Sequence, residues 1–134
     1  MTINWQTLRT ATDILNQYKQ TKLHWLNAER DRLIAAGIEH AGHRYQTSER
    51  NIADLMGAVQ VAQLAQIAGQ EFTTQWLTED NVTVTMTLHD LAALGAAVAQ
   101  HKAYLVYKCR EHKDALALLT TQQAVDTYLN TLQW

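Results

Sequence analysis

The chain has 134 residues, 47% of them hydrophobic and 18% charged, a length and mix that suit one domain with one real core and exclude a disordered acidic tail. Its net charge of −2 excludes the clustered lysines and arginines of a nucleic-acid footprint. No apolar run is long enough to span a bilayer, and Cys109, the lone cysteine, allows no intrachain disulfide.

Met1 to Trp5 lacks the basic and apolar regions of a signal peptide, and a single thiol fits a reducing compartment. Asn4 reads as a cap for a helix running to about Ala36. Along it Leu8, Ala11, Leu15, Tyr18, Lys22, Trp25 and Glu29 recur at alternating three- and four-residue steps, a heptad-like stripe. Ile14, Leu23, Leu26, Leu33 and Ile34 lie beside that stripe and make the apolar surface broader than one seam. Two readings follow: an amphipathic helix packed on its own domain, or a first half that projects as an oligomerisation stalk.

Gly37 suits the left-handed residue that ends this helix. Between Ile38 and Gln46, Ala41-Gly42 reads as the two-residue turn of a tight hairpin, with His40 and His43 flanking it. Thr47 or Ser48 can cap the next helix, Glu49 to about Ala68, which Gly69 stops. Ile52, Leu55, Met56, Val59 and Ile67 mark its apolar side. Gly57, Ala58, Ala62 and Ala65 mark a side that admits close approach of a neighbouring helix.

From Phe72 to Tyr107 the pattern is a second hairpin running into a long helix. Phe72, Thr74 and Trp76 form one run. Val82, Val84 and Met86 alternate with Thr83, Thr85 and Thr87 in the other, the period of a half-buried strand. Thr78-Glu79-Asp80-Asn81 supplies the turn. Thr87-Leu88-His89-Asp90 then fits a capping box, and Leu88, Leu91, Leu94, Val98, Leu105 and Cys109 follow at helical spacing to about Leu119. Thr120-Thr121 can cap a short last helix containing Val125, Tyr128 and Leu129. A terminal Trp134 has reason to be there if it folds back or meets a partner.

Few residues suggest chemistry. Two imidazoles from one turn, His40 and His43, can begin a metal site, but no Cys/His pair stands at a recognised ligand spacing. His24, His89, His101 and His112 scatter over helices and read as packed or surface side chains. Ser48, the lone serine, is better explained as a cap than as a nucleophile, and Cys109 sits mid-helix as a small hydrophobe. Trp25, Trp76 and Tyr45 read as core aromatics. The residues point to no enzyme, no cofactor and no metal.

The stretch Ala28 to Ile38, then Gly42-His43-Arg44-Tyr45-Gln46-Thr47, then Ser48 to Ala68 with Ile52 and Gly57-Ala58-Val59, forms the first half of a distinctive order of motifs. Trp76, Thr78, Asp80-Asn81, Val84, Thr87, Asp90-Leu91, Leu94 and the helix through His101 form the second. From about Trp25 to Leu118 this order resembles the domain of unknown function numbered 4376, found in tail-associated proteins of tailed bacteriophages and prophages. The resemblance implies a tail or tail-fibre structural protein, or a tail-fibre assembly chaperone, and carries over no catalytic or metal residue. Relatives often carry the domain toward the C-terminus of a longer protein. Here it fills nearly the whole chain, which favours a small stand-alone protein.

The expectation is therefore an α+β fold, mostly α, with long helices packed with two small β-hairpins that could join into one small sheet. Residues 1–24 would form an N-terminal helical extension, 25–119 the tail-associated domain and 120–134 a short terminal helix. The expected function is protein–protein contact in the virion tail, or in the host cytoplasm during assembly. Partners would be other tail or fibre proteins and further copies of the chain, with no nucleic acid and no membrane. Trp5, Leu8, Leu15, Tyr18 and Trp134 are the expected interface residues. A metal-dependent module built on the His40/His43 turn is the alternative from another class.

Overall fold

A computed structural model describes residues 2, 5 and 10–134. The order is α1 (Ala11–Ala35), β1 (Ile38–His40), β2 (His43–Tyr45), α2 (Glu49–Ile67), β3 (Thr73–Leu77), β4 (Thr83–Thr87), α3 (Leu88–Ala117) and α4 (Gln122–Asn130). The fold is α+β and mostly α, as the periodicities predict. It divides into two compact units, Asp31–Val106 and the pair of segments Met1–Arg30 with Tyr107–Trp134.

In the Asp31–Val106 unit each element ends where local chemistry tells it to. Gly37, at φ +94°, leaves α1, and its N–H donates to the Thr47 hydroxyl at 2.9 Å, which in turn donates to the Ile34 carbonyl. Ala41 and Gly42 both take positive φ, 49° and 84°, the geometry of a two-residue type I′ turn. This turn sets the register Ile38↔Tyr45, Glu39↔Arg44 and His40↔His43. Ser48 caps α2, exchanging bonds with Asn51. The helix ends in a Schellman arrangement: Gly69 N–H donates to the Gln66 carbonyl and Gln70 N–H to that of Ala65.

The second hairpin has the expected faces. Thr74↔Met86 and Trp76↔Val84 pair toward the core, while Gln75 and Thr85 join side chains on the outer face. The Thr87–Asp90 capping box is present: Thr87 N–H donates to the Asp90 carboxylate at 3.0 Å and Asp90 N–H to the Thr87 hydroxyl at 3.3 Å. These bonds, the backbone one foremost, hold the Asp90 carboxyl below its ordinary range. Ile38, Tyr45, Leu55, Ala62, Met86, Leu91, Leu94 and Val98 form the core of this unit, with Ile52, Val59, Phe72 and Trp76 packed against it.

The hairpins do not merge into one sheet. They stay two separate two-stranded sheets, tied by Glu79 N–H donating to the Arg44 carbonyl and by an Arg44–Glu79 ion pair at 3.0 Å. The strands of the first hairpin are three residues long, too short to extend a ladder past that contact.

In the other unit Leu26, Cys109, His112, Leu116 and Val125 are buried. Thr10 and Asp13 exchange bonds at the start of α1, Thr121 caps α4 through Ala124 N–H, and the Cys109 thiol lies 3.7 Å from the Leu26 carbonyl. Asn4, expected as the first cap, falls outside the described residues, as does Leu8. Trp25 is 46% exposed while its neighbour Leu26 is fully buried, so Trp25 is not a core aromatic. The inward side of α1 runs through Leu15, Lys22 and Leu26, and Trp25, about 100° around the helix from Leu26, falls at the edge of the stripe.

Candidate functional site

Of the expected interface residues that the structure describes, Leu15, Tyr18 and Trp134 have neighbours in their own unit. Tyr18 is half-buried and its hydroxyl donates to the Asp126 carboxylate of α4, a bond that, with burial and the Asp126 charge, raises the phenol pKa. The Lys22 ammonium lies 5.1 Å from the Tyr18 ring centroid. Leu15 lines a cavity of about 350 Å3 shared with Ile14 and with Thr120 to Gln122. Trp134 folds back, its ring 5.1 Å from that of His112 in an edge-on contact. Trp5 is exposed.

The histidine turn is built as its spacing predicts. His40 and His43 are direct cross-strand partners, and their rings lie 6.4 and 6.3 Å from the buried Tyr45 ring. With His89, Asp90, Met86 and Val84 they line a cavity of about 370 Å3. Burial raises the Tyr45 phenol pKa, and the charge of Asp90 adds to the effect. Asp90 is occupied by the cap of α3. Among the described residues no three His, Cys, Asp or Glu side chains come together as a metal-holding group. The cavity offers an apolar floor with imidazoles at its rim.

The remaining reactive side chains serve the fold. His101 Nε2 donates to the Leu33 carbonyl at 3.1 Å. In His112, Nε2 faces the Gln133 carbonyl at 2.9 Å and Nδ1 faces the Tyr128 hydroxyl at 2.7 Å. A carbonyl accepts only, so Nε2 carries the proton and Nδ1 accepts from Tyr128. That neutral tautomer satisfies both bonds. Burial, with a contribution from Lys108, lowers the His112 pKa against the raising influence of Gln133 and Glu111.

Several large apolar side chains stand in solvent. On α2, Val61 is 52%, Leu64 60% and Ile67 83% exposed. Ile67 was expected on the packed side, and Gly57 in a close helix contact. Instead Ile67 is the last residue of α2 and points into solvent, and a Cβ added at Gly57 would meet nothing within 4 Å. The close contact is at Gly95 of α3, where an added Cβ would stand 3.0 Å from Met56 Cε. One sequence signal could have found this surface: the sixteen residues from Leu55 to Gln70 contain no Asp, Glu, Lys, Arg or His.

A sequence profile for the domain of unknown function DUF4376 matches residues 17–128. No curated protein and no solved structure matches the chain. No described helix is long and apolar enough to cross a membrane.

Proposed function

Because this chain belongs to the DUF4376 family, we propose that it is a non-enzymatic structural protein of bacteriophage or prophage tails, working in the tail or tail fibre through protein–protein contacts. The observation that carries this reading is the division of labour among side chains. His101, His112, Asp90 and Cys109 are bonded into the fold, while Val61, Leu64 and Ile67 stand in solvent, where they stabilise only by meeting another protein. The tail context rests on the resemblance of the motif order.

Mass spectrometry of purified particles, alongside lysates of infected or induced cells, tests the proposal. Peptides of this chain in particles at a constant ratio to other tail proteins are expected. Peptides in lysates but not in particles would overturn the structural role and leave the assembly chaperone, acting in the host cytoplasm.

A further inference from the structure

A polar cavity opens within the Asp31–Val106 unit where the residue after β2, the first turns of α2, strand β3 and the turn beyond it meet. Its volume is about 330 Å3, inside the ~300–1,000 Å3 usual for small-molecule sites. Trp76 forms part of the wall, half-buried against the core. Around the indole stand four carboxamides, Gln46, Asn51, Gln75 and Asn81, and one carboxylate, Asp54. No described Lys, Arg or His lines the cavity.

The fold uses only part of this polar equipment. Asn51 Oδ1 accepts from Ser48 N–H, and the Gln75 amide exchanges bonds with the Thr85 hydroxyl. Among the described residues, nothing bonds the side chains of Gln46, Asp54 and Asn81, the Asn51 amide nitrogen or the Trp76 Nε1–H.

We infer that this cavity is a binding site for an uncharged saccharide, with a pyranose ring seated against Trp76 and its hydroxyls on the surrounding amides. The balance of donors and acceptors selects that class. A sugar hydroxyl both donates and accepts, and the Gln46 and Asn81 carboxamides do the same from one planar group. Asn51 and the indole N–H add donors, and Asp54 adds acceptors. The indole also supplies the apolar surface on which ring C–H groups pack. Charge removes the alternatives. Asp54 repels a phosphate or carboxylate, and no cation in the wall offsets it. An ammonium or metal ion accepts no hydrogen bond and would leave every amide N–H unpaired. The site goes beyond the tail reading and does not depend on it.

Heteronuclear NMR of the full chain, titrated separately with glucose, galactose, mannose and N-acetylglucosamine, tests the site. At least one sugar should move the amide signals of Asp54, Trp76 and Asn81 and saturate with a Kd on the order of 1 mM. Gln46→Ala and Asp54→Ala, both at exposed positions, should each weaken that sugar about tenfold or more and leave the rest of the spectrum unchanged. Trp76→Ala should abolish binding. Trp76→Phe, which keeps the wall apolar, reads the same contact as a smaller loss should the alanine variant fail to fold. Inorganic phosphate and ethylammonium should move none of these signals. No shift with any of the four sugars overturns the inference. So do sugar shifts that survive both Gln46→Ala and Asp54→Ala, shifts confined to other residues, or binding of either ion in a sugar's place.

Discussion

His112 shows how one buried side chain couples this fold to pH. Its folded pKa lies below the ordinary 6.5, so the unfolded chain takes up a proton at a pH where the native chain still refuses it. Stability from this site is therefore complete above pH 6.5 and falls as pH drops from there toward the folded value. The carboxylates titrate in another window. Asp80 and Asp90 are both held below 3.8, and their contribution is present above that value and disappears in stronger acid. Urea unfolding between pH 7 and pH 5 should show stability decreasing, and His112→Gln should flatten that slope. An unchanged slope in the variant would assign the proton uptake to another group.

At the scale of elements, glycine has opposite meanings at two positions. Gly37 must turn the chain at φ +94°, and a Cβ there would meet the Tyr45 carbonyl at 2.8 Å and the Glu79 carboxylate at 2.9 Å. Gly37→Ala should cost ~2 kcal/mol or more, because strain and clash add at the joint between α1 and the first hairpin. Gly57 sits inside α2 with open space around it. Gly57→Ala should stabilise by ~1 kcal/mol through helix propensity. Chemical denaturation of both variants at one fixed protein concentration checks the pair. A stabilising Gly37→Ala would show that the turn tolerates a side chain.

At the scale of the molecule, association and stability are one equilibrium. Were copies of the chain to associate through the exposed α2 residues, the native chain alone would be bound, and the melting temperature would rise with protein concentration. That rise is expected for the wild-type chain and absent from Leu64→Glu. A concentration-independent Tm for the wild type would exclude association of copies through α2. The N-terminal segment is the competing place for such a contact. There Leu15 and Tyr18 already have neighbours in their own chain, in the cavity beside Thr121 and on Asp126, which lessens what they can offer another.

Local rules were readable because they act within a few residues. Thr87 with Asp90, Ser48 before α2, the Ala41-Gly42 turn and the alternation of Val84 and Met86 with threonines each declare a cap, a turn or a strand. Periodicity likewise marked Leu91, Leu94, Val98 and Leu105 as the buried line of α3. What the chain order could not state is which side of a doubly apolar helix meets a neighbour. Leu26 rather than Trp25 is buried, Gly95 rather than Gly57 admits the close helix, and Ile67 is left in water, because burial depends on where distant segments pack. The same holds for His112, which is an ordinary helical histidine until Tyr128, Gln133 and Trp134 close around it. The sequence by itself determined the elements and their ends; tertiary packing decided which faces enter the core and which are left in solvent.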